Sequence, residues 1–260
     1  MKVKANGISI NYQVDGPDGA PWLVLSNSLA TNLTMWDDQA RGLGRALRVL
    51  RYDQRGHGLT EAPAGRYPFD LLIADALALM DALAIRKAHF AGLSMGGATA
   101  LGLAQKHADR LDRVIVCDSP CQSTPTSSQQ WEERIVVAQA QGMGALVEPT
   151  IARWFPPDVI KANPPHVDKV RQMIHTTPVN GFIGCAAALA DHDYAAAVAR
   201  VTRPVLFLVG EKDAAAPPMR KLNDALPGSR FVELAGAGHI SNLDQPEGFT
   251  RAVKDFLAAK

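Results

Sequence analysis

The chain is 260 residues long, 47% apolar and 20% charged. That is enough apolar material for one buried core plus an inserted piece, and it excludes bulk disorder. Lys and Arg number 27 against 26 Asp and Glu, a formal net charge of +1. The basic field that a nucleic-acid binder or a membrane-surface protein needs is therefore missing.

Residues 3–15 alternate apolar and polar around Asn6-Gly7, which predicts a β-hairpin with a tight turn. This N-terminal stretch holds no apolar segment of signal-peptide length, and no run approaches the ~18 apolar residues of a membrane span. Short apolar runs follow at 22–25, 48–52, 88–92, 113–117, 205–209 and 230–234. Such continuous runs suit parallel strands buried on both faces. Helical patterns lie between them. Residues 69–83 place Leu72, Ala76, Leu79, Met80 and Leu83 on one face behind Pro68; 95–107 is small and apolar; 246–258 aligns Phe249, Val253, Phe256 and Leu257. Strands alternating with helices predict a mostly parallel α/β sheet with right-handed crossovers.

The alternation stops between Cys121 and Arg203. A Ser/Thr/Pro/Gln cluster at 122–130 reads as a loop, and helices are expected at 131–141, 144–154, 166–175, 181–190 and 194–200. The expected division is a core, 1–120 and 204–260, with a helical cap, 121–203, inserted between two sheet strands. Cys117 and Cys121 have a Cys-x3-Cys spacing but no second ligand pair, so no metal is expected. With Cys185 they make an odd count, read as free thiols in a reducing cytoplasm.

Gly92-Leu93-Ser94-Met95-Gly96 closes one expected strand and opens the next helix. In that context Gly-x-Ser-x-Gly marks a strained turn that exposes a nucleophilic serine at a helix N-terminus. A serine needs a base, and the base needs an orienting acid. Asp213 and His239 each lie just past an expected strand end, and the order Ser94, Asp213, His239 is the order such a triad takes in this fold. Asp118 also follows a strand and is a competing acid, although an ordinary strand-end role suits it better. His57, in Asp53-Gln54-Arg55-Gly56-His57-Gly58, is expected to hold its loop; His89, His107, His166, His175 and His192 read as surface or packing residues. An oxyanion hole needs two backbone N–H donors. Met95 follows the nucleophile, and Leu29 lies in the loop after the 22–25 strand. This chemistry calls for no cofactor.

Those segments, with Pro217 and Gly238-His239, resemble the α/β-hydrolase superfamily over essentially the whole chain. Within it the chain is similar to the 3-oxoadipate enol-lactonases, cofactor-free hydrolases of the β-ketoadipate branch of aromatic catabolism. The likeness rests on Leu25-Ser26-Asn27-Ser28-Leu29, Met35-Trp36-Asp37, Trp131, Gly142-Met143, Arg153-Trp154-Phe155 and Gly238-His239-Ile240-Ser241-Asn242. Ser119-Pro120-Cys121-Gln122-Ser123-Thr124 departs from it, standing where a small, Ala- and Gly-containing segment is usual. The resemblance implies an α/β-hydrolase fold and a small lactone or ester as partner. A lactone with a carboxylate tail needs a cation in the pocket: Arg134, one turn from Trp131, is the first candidate and Arg153 a weaker one. A carboxylesterase, a carbon–carbon bond hydrolase, a perhydrolase and a ligand receptor on the same scaffold remain alternatives.

Overall fold

The computed structural model describes residues 1–120 and 122–259, so Cys121 lies outside the described residues. The hairpin forms as β1 (Lys2–Ala5) and β2 (Ile8–Asp15). Asn6 and Gly7 take φ of 46° and 78°, the left-handed pair that a two-residue hairpin turn requires. β3 (Trp22–Ser26), α1 (Asp37–Leu43), β4 (Arg48–Tyr52), α2 (Phe69–Ala82), β5 (Ala88–Leu93), α3 (Met95–Lys106) and β6 (Leu111–Cys117) follow. Helices follow in the next stretch: α4 (Pro125–Gln141), α5 (Val147–Trp154), α6 (Pro157–Ala162), α7 (Pro165–Thr176), α8 (Val179–Ala190) and α9 (Ala195–Val198). The sheet resumes with β7 (Val205–Gly210), α10 (Ala216–Ala225) and β8 (Arg230–Leu234), and the chain ends in α11 (Ser241–Asp244) and α12 (Pro246–Ala258).

The eight strands run in the order β1-β2-β4-β3-β5-β6-β7-β8. The β1–β2 and β2–β4 pairs are antiparallel and the rest parallel. All six residues of β7 are buried, as a strand covered on both faces demands. The chain steps from β3 to β4 on one side, then returns to place β5 on the other side of β3. That reversal opens a crevice at the carboxyl ends of β3 and β5, where open α/β sheets bind ligands.

The helical stretch differs from expectation at its start. α4 begins at Pro125, inside the segment expected to be a loop. Thr124 Oγ1 accepts the Ser127 N–H at 3.2 Å, and Ser127 Oγ accepts the Thr124 N–H at 2.8 Å, a reciprocal cap with proline in the first turn. The Ser/Thr/Pro composition that suggested a loop is thus the helix's own start. α1 and α6, of 7 and 6 residues, are too short to leave a periodic trace in the sequence.

The inserted helices press on the sheet's loops at two close approaches. A Cβ on Gly181 of α8 would lie 1.9 Å from the Gly56 carbonyl oxygen, and one on Gly238 would lie 2.3 Å from the Trp154 carbonyl oxygen. Only residues without a side chain allow such backbone contact. Gly181→Ala is expected to destabilise the protein by about 1–3 kcal/mol, as overpacking does. Urea titration checks this; an unchanged midpoint would mean that the contact yields freely.

Candidate active site

Ser94 sits at the hinge between β5 and α3 with φ 56° and ψ −112°, a conformation rarely adopted by a residue with a Cβ. Its neighbours explain how the turn closes. A Cβ on Gly92 would lie 2.0 Å from the Gly96 carbonyl oxygen, and one on Gly96 would lie 2.2 Å from that of Ser26. The Ser94 N–H donates to the Cys117 carbonyl at 2.8 Å, which ties the turn to β6. The hydroxyl is left half-buried at the mouth of the crevice.

Two further loops meet it there. Asp213 follows β7 and His239 follows β8, and His239 Nδ1 lies 2.9 Å from Asp213 Oδ2. The carboxylate accepts, so Nδ1 carries the proton and Nε2 keeps a free lone pair. Asp213 Oδ1 also accepts the Ala215 N–H at 3.2 Å. Ser94, Asp213 and His239 line one cavity of about 250 Å³. No hydrogen bond joins Ser94 Oγ to His239 among the described residues; such contacts are commonly long and tighten with substrate.

Leu29 also lines the cavity. The N–H groups of Leu29 and Met95 have no acceptor among the described residues, although both residues are buried. The loop that carries Leu29 is held from behind by the 53–58 loop. Asn27 Oδ1 accepts the Gln54 N–H at 2.9 Å, and Gln54 Nε2 donates to the Asn27 carbonyl at 2.6 Å. Ala30, at φ 56°, donates its N–H to His57 Nε2 at 2.9 Å, while His57 Nδ1 donates to the Arg55 carbonyl at 3.0 Å. These partners require neutral His57 with its proton on Nδ1. Burial likewise holds its pKa below the usual value.

Trp131 and Arg134 of α4 line the same cavity, and so does Arg153 of α5. The Arg134 and Arg153 guanidinium carbons lie 4.6 and 5.5 Å from the Trp131 ring centroid. Neither arginine makes an ion pair or hydrogen bond with a described residue. Arg153 is open to solvent, yet the protein around it thins its hydration and, with Arg134 alongside, pulls its pKa down to about 10. Desolvation also lowers Arg134. Both stay cationic at neutral pH.

Three residues carry more than the sequence suggested. Trp154 stacks on the His239 imidazole with centroids 5.5 Å apart, and its carbonyl accepts the His239 N–H at 2.7 Å. His192, expected at the surface or in packing, is buried and lines the cavity, with Nδ1 3.0 Å from the Leu189 carbonyl. Its Nε2 has no partner among the described residues. Asp118, expected to be an ordinary strand-end residue, is wholly buried at φ 48° and accepts from Gly210 N–H and Ser241 Oγ at 2.8 and 2.5 Å. No periodicity or motif marks these contacts, because they join segments far apart in the chain.

A parallel sheet with a strained serine after β5 and a histidine–carboxylate pair after its last strands defines an α/β hydrolase. The profile described as alpha/beta hydrolase fold matches residues 21–246, and the chain belongs to that family. It is 34% identical over 255 residues to 3-oxoadipate enol-lactonase 2 of Acinetobacter baylyi, covering 96% of this chain and 93% of that protein. Its structure matches the enol-lactonase from Burkholderia xenovorans LB400 with a TM-score of 0.96 and 40% identity, over 100% of both chains. It also matches a thermophilic esterase from Thermogutta terrifontis with malate bound, at TM-score 0.93 and 29% identity, over 99% of this chain and 98% of that one.

The tautomer of His57 sets a pH dependence. Its folded pKa lies below its unfolded value of about 6.5, so its contribution is complete above that pH and is lost as pH falls toward the folded value. Between pH 7 and 5.5 the wild type is expected to lose up to about 1 kcal/mol more stability than His57→Gln. Denaturant melts at the two pH values check this, with other titrations cancelling in the comparison; equal losses would mean that His57 is not held neutral.

Proposed function

We propose that the protein is a serine hydrolase acting on ester bonds through an acyl-enzyme, and that its substrate is a small enol-lactone with a carboxylate tail, as in 3-oxoadipate enol-lactone. His239 Nε2 takes the Ser94 Oγ proton as Oγ attacks the lactone carbonyl. The N–H groups of Leu29 and Met95 receive the oxyanion, a contribution of about 3–4 kcal/mol per donor where such donors have been removed. Collapse expels the ring oxygen as an enolate, which takes the proton from His239 as an enol and then tautomerises to the ketone. Water then gives a proton to His239 and attacks the acyl carbon, and Ser94 leaves with that proton. Asp213 keeps the imidazole in the required tautomer throughout. No step needs a metal or a cofactor. The segment 121–203 acts as a cap over the site, and the enzyme works in the cytoplasm during breakdown of aromatic compounds.

The observation that carries the substrate class is the pair of arginines, without an ion-pair partner among the described residues, on the wall of the cavity that holds Ser94. Guanidinium groups that form no ion pair with a described residue, beside a nucleophile, suit an anionic substrate. The cavity, about 250 Å³, lies below the ~300–1,000 Å³ of sites for drug-sized ligands, which favours a compact acid. The likeness to the two enol-lactonases supports the same assignment, and the malate held by the Thermogutta esterase is likewise a small carboxylic acid.

Ser94→Ala is expected to lower kcat at least ~10³-fold with an unchanged circular dichroism spectrum. Near-normal turnover would remove Ser94 from the mechanism. A panel of an enol-lactone acid, a simple lactone and p-nitrophenyl esters tests the substrate. Failure on the enol-lactone alone would leave a serine hydrolase with another substrate, and failure on all would favour a receptor.

Arg134→Ala is expected to raise KM for the enol-lactone acid about 10- to 150-fold, the worth of one charge-assisted hydrogen bond. Its effect on kcat should be small, because the tail is remote from the reacting carbonyl. Neutral esters should barely respond; equal losses on charged and neutral substrates would make Arg134 a structural residue.

A further inference from the structure

Asp118 belongs to none of the roles above, yet it touches both loops that bring Asp213 and His239 together. Its Oδ1 accepts the N–H of Gly210, three residues before Asp213, at 2.8 Å. Ser241 Oγ, two residues after His239, donates to its Oδ2 at 2.5 Å. Its own N–H donates to the Leu208 carbonyl of β7 at 3.0 Å, which locks the residue at φ 48°. Its carboxyl group abuts that of Asp213 within hydrogen-bonding reach.

Two carboxyl groups in contact inside a protein cannot both be ionised, so the pair keeps one proton. The surroundings decide where it resides. Asp213 faces the imidazole, which becomes a cation during turnover, and accepts a second hydrogen bond from Ala215. Asp118 is surrounded by the Cys117 thiol, the Ser241 hydroxyl, the Gly210 N–H and Asp213 itself, and no ion pair reaches it among the described residues. Burial first and then the neighbouring Asp213 charge push its pKa well above the usual carboxylate range. Ionising Asp118 would place a second charge in the core beside that of Asp213, with only the Gly210 N–H and the Ser241 hydroxyl to compensate it.

We propose that Asp118 is a protonated positioning residue: it keeps its proton at neutral pH and donates it to Asp213, fixing the carboxylate that orients His239. No bond beyond this hydrogen bond forms or breaks at Asp118, and its proton stays in place through the cycle. This role rests on the Ser94–His239–Asp213 assignment. It separates two duties within one acidic pair, Asp213 carrying the charge and Asp118 the donor.

Asp118→Asn is the discriminating variant, because an amide offers a donor at the same place without a charge and asparagine tolerates a left-handed φ. Infrared spectroscopy of the wild type at neutral pH is expected to show a protonated-carboxyl C=O stretch that Asp118→Asn lacks. That variant should keep kcat within about threefold, and the acid limb of its kcat/KM profile should move by less than ~0.3 pH unit. Asp118→Ala, which has no donor, should lower kcat at least ~10-fold with KM little changed. If Ala does not fold, the infrared band and the Asn profile still decide. Absence of a band assigned to Asp118, or an acid limb shifted down by about a unit in Asp118→Asn, would show an ionised Asp118 and overturn the proposal. The band does not depend on turnover. It can therefore be present while Ser94→Ala refutes the triad, or absent while the triad stands, which keeps the two failures distinct.

Discussion

Backbone crowding at the turn after β5 governs much else in the molecule. The chain must leave the sheet and enter α3 within one residue, with Gly96 against the Ser26 carbonyl and Gly92 against Gly96. Ser94 absorbs the reversal at φ 56°, a strain of order 1–3 kcal/mol that persists only where the surroundings over-determine it. They do so here because β5 lies between β3 and β6 and is bonded to both. The same turn lifts the serine hydroxyl out of the sheet and leaves the Met95 N–H, at the start of α3, without an acceptor among the described residues. The proposed nucleophile and the proposed donor thus follow from one steric fact.

The loop of Leu29, the proposed second donor, is held by a polar network as well as by the burial of Leu29 and Ala30 in the core. Asp53 accepts from Asn11 Nδ2, Leu33 N–H and Leu59 N–H at 2.7, 2.7 and 2.9 Å, and it bars any side chain at Gly58. Arg55 pairs with Asp75 of α2 through two contacts of 2.7 Å, and Asn6 donates to the same carboxylate. A buried ion pair contributes little net stability on average, but removing one partner leaves a stranded charge. Its effect here is geometric: the 53–58 loop is pinned, and His57 and Gln54 pass that rigidity to the loop of Leu29.

The helices between β6 and β7 do more than pack on one another. α5 ends with Arg153 on the cavity wall and Trp154 stacked on His239, so adjacent residues face the arginine pair and the imidazole. The Trp154 carbonyl also receives the His239 N–H, which places the imidazole loop under direct control of the insertion. Gly181 against Gly56 forms a second anchor, on the loop that holds Leu29 from behind. Changes in this segment therefore act on the geometry around Ser94 as well as on what fits beside it.

Local patterns were enough for the strands, the serine turn and the order of Ser94, Asp213 and His239. Strand burial leaves continuous apolar runs, and a tight turn demands glycines at fixed offsets; both are properties of neighbouring residues. The start of α4 is not legible locally because Thr124, Pro125 and Ser127 suit a loop and a capped helix equally, and only the reciprocal hydrogen bonds distinguish them. The sequence favoured Asp213 over Asp118 as the carboxylate that meets His239, and the tertiary structure puts Asp213 there. Asp118 and Asp213 both follow strands, and their separation into orienter and buried neighbour depends on the register of β6, β7 and β8. Only the tertiary structure decided that Trp154 covers the imidazole and that Arg153 joins Arg134 on Trp131. Those contacts join α4 and α5 to each other and to the loop after β8, and nothing in a local spacing records such distances. The physical reason is the range of the forces: turn sterics and strand patterning act over a few residues, whereas the electrostatics of the site sum over segments that only the folded chain brings together.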